Sequence, residues 1–149
     1  YREALSEDFK QYAQSIIENA KALAETLTEG GLRLVSGGTD NHLLLVDVTP
    51  LGLSGKPAED ALEKCGITVN MNMIPFDERK PMDPSGIRMG TPALTTRGMG
   101  TEEMKKVGLW VLAALRSADN PAALEQIRGE IIDLCAQYPV PAAALSGTI

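Results

Sequence analysis

Between Phe9 and Leu27 the apolar residues Phe9, Tyr12, Ala13, Ile16, Ala20, Leu23, Ala24 and Leu27 return at three- and four-residue spacing, which gathers them on one face of a helix. Ser6 is suited to cap that helix, Glu7 and Asp8 complement the positive end of its dipole, and Gly30-Gly31 stop it. The period then changes. Leu32-Arg33-Leu34-Val35 alternates and His42 to Val48 is a mostly apolar run, so two strands are expected. Between them Ser36-Gly37-Gly38-Thr39-Asp40-Asn41 reads as a tight turn of residues that tolerate unusual backbone angles. A phosphate-cradling loop would need a helix to follow, and here a strand does.

A short helix is expected from about Pro57 to Cys65, ended by Gly66, then a strand at Ile67-Thr68-Val69 and an irregular stretch from Asn70 to Pro84. Ile87-Arg88-Met89, between Gly86 and Gly90, reads as one more short strand. A helix capped by Thr101 follows, with Met104, Val107, Val111, Leu115 and Ala118 facing inward. Asn120 and Pro121 are a cap and first helical residue for another, whose face is Leu124, Ile127, Ile131, Leu134, Cys135 and Tyr138. Pro139 and Pro141 end it. This order predicts an α+β fold, a small antiparallel or mixed sheet covered by helices, as one domain over residues 1–138 with a flexible tail at 139–149. Neither an internal repeat nor the regular alternation of a doubly wound sheet is visible.

Composition narrows the function. At 149 residues, 44% hydrophobic and 23% charged, the chain suits one globular core, and with 4% aromatics its packing must come from Leu, Ile, Val and Ala. A net charge of -6 argues against a nucleic-acid backbone as partner. No apolar run approaches the ~20 residues that span a bilayer, and no signal peptide is evident. The chain opens on Tyr1 rather than a methionine, so the expectation is a piece of something longer or processed. Cys65 and Cys135 lack the spacing of a metal knuckle or redox pair and read as reduced thiols, consistent with a cytoplasmic protein.

The segment ITVNMNMIPFDERKPMDPSGIRMGTPALTTRG, from Ile67 to Gly98, concentrates the candidate chemistry. Prolines and glycines fix its path while polar side chains cluster, as in rigid functional loops. Arg88 is either a surface charge or ion-pair partner, or a planar fork aimed at a carboxylate. Asn70 and Asn72 share a side if Val69 to Met73 is extended, where they either satisfy turn backbone or hydrogen-bond a heterocycle. His42, the only histidine, reads as a structural hydrogen-bonding residue rather than a general base. Trp110 reads as core or interface, and no paired carboxylates argue for acid–base work.

These same residues carry a resemblance. SGGTDNHLLLVDV (Ser36 to Val48), GITVNMN and SGIRMGTPALTTRG (ending at Gly98) are similar, in that order, to serine hydroxymethyltransferases. FKQYAQSIIENAKALAETL resembles the helix before that family's C-terminal domain, and LCAQYPVP the family's end, so the likeness runs to about Pro139. It implies the C-terminal domain of a pyridoxal-phosphate-dependent transferase that moves the hydroxymethyl carbon of serine to tetrahydrofolate, leaving glycine. The implied fold is the small domain of fold-type I pyridoxal-phosphate enzymes.

By match to the motif, Arg88 grips the substrate α-carboxylate, Asn72 meets the folate pterin, and Lys80-Pro81-Met82 is a folate-contacting segment. The sequence departs from the family where Met71 stands for a usual lysine and Lys80-Pro81-Met82 for a common Ser-Pro-Phe. The Schiff-base lysine segment has no match here, so the resemblance implies that pyridoxal phosphate is bound mainly by a missing N-terminal domain and that this chain alone is inactive. Partners implied are serine, glycine and folate, the N-terminal domain, and a second copy in a homodimer or homotetramer, with no nucleic acid or membrane. Two other readings remain: the small domain of another pyridoxal-phosphate enzyme, and a stand-alone non-catalytic binding module.

Overall fold

The computed structural model describes residues 2–141. Of the expected flexible tail, 139–149, residues 142–149 lie outside that range.

Helix α1 (Glu7–Glu29) is capped as its sequence predicts, the Ser6 hydroxyl accepting the Phe9 N–H at 3.2 Å. Gly31 ends it at φ 91°, where a side chain would be strained. Strand β1 (Arg33–Leu34) and strand β2 (Leu43–Asp47) follow, joined by a turn in which Ser36 also takes positive φ. Helix α2 (Gly55–Lys64) starts two residues before the expected Pro57 and leads to strand β3 (Asn70–Asn72). Strand β4 (Gly86–Gly90), the short helix α3 (Pro92–Thr96), helix α4 (Thr101–Arg116) and helix α5 (Pro121–Gln137) complete the order.

Three expectations need correction. The strand placed at Ile67-Thr68-Val69 lies instead at Asn70–Asn72, because the Ile67 N–H turns back to the Leu62 carbonyl and closes α2. Helix α4 is capped by Gly100, not Thr101, with the Glu103 carboxylate accepting the Gly100 N–H at 2.9 Å. Helix α3 was not expected; at five residues it is too short to show a period. The start of α5 is as read, with Asn120 Oδ1 accepting the Ala123 N–H.

The four strands run β1-β2-β4-β3, every neighbouring pair antiparallel, which decides for antiparallel over mixed. One face is covered: α1 and α2 lie against the sheet, α4 packs on both, and α5 packs on α4 and α2. The core is aliphatic, as the scarcity of aromatics requires, with Leu27, Leu44, Val46, Leu62, Ile87 and Leu124 among its fully buried side chains. Helix α4 approaches α1 closely at Gly108, where a Cβ would stand 2.8 Å from Thr26 Cγ2. The chain is thus a two-faced sheet, and around Arg88 the second face is open to solvent.

Candidate functional site

Alternation decides which side chains share the open face. On β4, Ile87 and Met89 point into the core while Gly86, Arg88 and Gly90 point the other way. Register then sets their neighbours: Arg88 is opposite Leu45 on β2 and opposite Asn70 on β3, and Gly86 is opposite Asn72. Directly opposed residues have Cβ atoms roughly 4.5–5.5 Å apart, so Leu45, Arg88 and Asn70 form one row across three strands. The guanidinium is exposed and makes no ion pair or side-chain hydrogen bond among the described residues. Its strand neighbours on that face are glycines, so nothing on β4 crowds it.

Asn72 shares this face, as the extended reading of Val69 to Met73 anticipates, and its Nδ2 donates to the Met73 carbonyl at 2.7 Å. Gly86 beside it is a steric necessity: a Cβ there would lie 2.7 Å from Ile74 Cγ2 and 2.9 Å from the Asn72 carbonyl oxygen. Met71, where the resemblance leads one to expect lysine, lies on the opposite side of β3, paired with buried Ile87 and donating its N–H to Glu59. Its side chain therefore does not share the face of Arg88.

From β3 the chain loops through Lys80, Pro81 and Met82, all exposed, before returning as β4. Asp77 holds this loop. It accepts the Ile74 N–H at 3.2 Å, the Arg79 N–H at 3.0 Å, the Ser85 N–H at 2.9 Å and the Ser85 hydroxyl at 2.7 Å. Desolvation by itself would raise the carboxyl, but donation from Ser85, Arg79 and Ile74 outweighs it and holds Asp77 well below the usual carboxylate range. The loop's end is tied to α2, where the Gly55 N–H donates to the Pro84 carbonyl and the Lys56 N–H to Asp83. Sequence reading missed Asp77; its signal was an aspartate in a Pro-rich turn, a residue type that captures nearby backbone N–H groups.

The rest of the signature that contains Arg88 is structural. Buried Thr91 donates its hydroxyl to the Ile16 carbonyl of α1. Buried Asn19 donates Nδ2 to Thr95 Oγ1 and to the Met99 carbonyl, both at 2.9 Å. Arg97 donates Nε to the Tyr138 carbonyl at 2.6 Å and a terminal nitrogen to the Cys135 carbonyl at 2.9 Å, closing the end of α5. These contacts lock the segment that follows β4 to α1 and to the end of α5.

Other candidates stay outside the site. His42 is exposed and its imidazole makes no hydrogen bond among the described residues, so the expected structural hydrogen-bonding side chain is not found; only its backbone carbonyl acts, accepting the Thr91 N–H. Trp110 packs partly against the core and donates Nε1 to Glu130 at 2.7 Å. Both cysteines are free, and burial, with Glu125 adding to it, pushes the Cys65 thiol up, away from reactivity. Among the described residues no cluster could hold a metal ion, and no helix is long and apolar enough to cross a membrane.

A covalently attached pyridoxal phosphate would need a lysine shielded from water and lowered in pKa. All seven lysines here are exposed, and the two with a resolved shift, Lys56 beside Asp60 and Glu59 and Lys105 beside Glu102, are raised. The residues of this chain do not fit that attachment.

The family model for serine hydroxymethyltransferase matches residues 1–111. Over 146 residues, 98% of the chain, it is 63% identical to the serine hydroxymethyltransferase of Rhodopirellula baltica, covering 35% of that relative. It is 56% identical to that of Myxococcus xanthus, covering 97% of the chain and 35% of the relative. Against that of Acidobacterium capsulatum it is 53% identical, covering 94% and 33%. The chain therefore spans about a third of the length of the curated relatives it matches.

Proposed function

The chain belongs to the serine hydroxymethyltransferase family, and from that premise we propose that it is the C-terminal domain, residues 1–138, of such a transferase. In this reading Arg88 binds the α-carboxylate of serine or glycine. The observation that carries it is Arg88 itself: a guanidinium without a partner among the described residues, on a strand with bare glycine neighbours on its own face. A fork held on a sheet rather than a loop meets a carboxylate with two parallel hydrogen bonds and sets the substrate's orientation. Its task is positioning, not proton transfer.

Asn72, on the same face, and the Lys80-Pro81-Met82 loop form part of a wall for tetrahydrofolate, the one-carbon acceptor, with the loop held by Asp77. Because Met71 turns away from that face, the change from lysine there leaves the Arg88 end of the site intact. Pyridoxal phosphate supplies the electron sink when bound, and it is held by the remainder of the polypeptide. The chain by itself therefore binds substrate groups but does not turn over, and the homodimer or homotetramer belongs to the full-length enzyme.

The test uses the full-length protein loaded with pyridoxal phosphate, titrated with glycine while the visible absorbance of the cofactor is followed. Arg88→Ala should weaken glycine at least about a hundredfold, the loss of a bidentate charged contact. Unchanged glycine affinity would sink the assignment. If no cofactor-binding region accompanies this chain in its reading frame, the non-catalytic binding module takes its place.

A further inference from the structure

The row that contains Arg88 holds two other side chains, Leu45 on one side and Asn70 on the other. Within the paired strands the diagonal positions offer two polar groups, and each has a partner elsewhere, Asn72 through its Nδ2 only. Asp47 accepts from Arg33 and from Thr49, and the Asn72 amide donates to the Met73 carbonyl. Asn70 is exposed and has no side-chain hydrogen bond among the described residues. Asn70 is thus the polar side chain directly opposite Arg88, and among the described residues neither has a side-chain partner.

An asparagine amide is a neutral acceptor and donor on one short stem. Its Oδ1 can take one guanidinium N–H, while its Nδ2 points another donor at whatever carboxylate the fork binds. Leu45, opposite on β2, flanks Arg88 on the other side of the row and offers no hydrogen-bonding group. We infer that Asn70 is a positioning residue of the carboxylate site: it orients the Arg88 guanidinium and adds a hydrogen bond to the substrate carboxylate. The inference rests on the reading of Arg88 given above. Neutrality matters, since an aspartate in this place would pair with Arg88 and occupy the fork that the substrate needs.

The experiment measures steady-state kinetics of the full-length, cofactor-loaded enzyme for Asn70→Ala, Asn70→Asp and Arg88→Ala, varying serine and tetrahydrofolate separately. Asn70→Ala should raise the KM for serine about tenfold, the loss of one hydrogen bond to a charged group, with kcat and the folate KM unchanged. Asn70→Asp should raise it further than Asn70→Ala, because it adds a competitor rather than removing a helper. Unchanged serine KM in both Asn70 variants, with Arg88→Ala still severely impaired, overturns this inference and leaves the Arg88 reading standing. No effect in any of the three overturns both. A rise in the folate KM alone assigns Asn70 to the folate wall and overturns the inference. Since Asn70 is exposed on a three-residue edge strand, its replacement leaves the core untouched.

Discussion

On the covered face of the sheet Leu44, Val46 and Ile87 are fully buried, and every neighbour is chosen to fill space. On the opposite face of the same two strands Leu43, Arg88 and Gly90 meet solvent, and the positions beside Arg88 are glycines on its own strand, Leu45 on β2 and Asn70 on β3. One residue of shift along β4 moves from an environment where packing decides everything to one where packing decides little. The covered face holds the strand still; the open face uses that stillness to present a charged group. The polar residues Thr91, Asn19 and Arg97 belong with the covered side in this sense, because each of their hydrogen bonds joins two elements of the scaffold.

That contrast can be broken most easily at the core. Leu44→Ala should destabilise the domain by about 2–5 kcal/mol in urea unfolding, since a fully buried leucine leaves a cavity that its neighbours fill only in part. A loss below about 1 kcal/mol would mean that the two faces differ less than their burial.

An intermediate effect is expected at the loop that borders the open face. Asp77→Ala removes the acceptor for three backbone N–H groups and one hydroxyl and should cost about 2 kcal/mol. The pH dependence has a definite sign. Because the folded-state pKa is depressed, Asp77 stabilises fully above its unfolded value of about 3.9 and loses that contribution as pH falls toward the folded value. Acid titration of wild type and Asp77→Ala should therefore converge below about pH 4. Parallel curves would remove Asp77 from its role as the anchor of the loop.

The smallest effect sharpens the comparison. Arg88→Ala should change unfolding stability by no more than about 0.5 kcal/mol, because the side chain is exposed and has no partner among the described residues. Together with a severe loss of glycine binding, that result separates a group kept for a ligand from one kept for the scaffold. A large loss of stability would instead give Arg88 a structural role.

Much of this was legible along the chain. The Ser6 and Asn120 caps, the glycine stop after α1 and the apolar stripe of α1 are local features, decided by side chains within a turn or two of one another. Arg88 between two glycines stood out for the same reason. What local pattern could not settle was strand placement. Ile67-Thr68-Val69 has the residues of a strand, but its first N–H is claimed by α2. The pairing falls on Asn70-Met71-Asn72, whose propensity is poorer, because β4 lies there to receive it. Helix α3 was hidden by its shortness and Asp77 by the ordinariness of an aspartate in a loop.

The amino-acid sequence by itself determined the four longer helices, the α+β class, the aliphatic character of the core and the family, because periodicity, capping and signature motifs are carried by neighbouring residues. Tertiary structure decided the antiparallel order β1-β2-β4-β3, the face shared by Leu45, Arg88 and Asn70, and the turning of Met71 away from it. Those depend on register between strands far apart in the chain, and register is fixed only when the buried set of each strand finds its place against the helices.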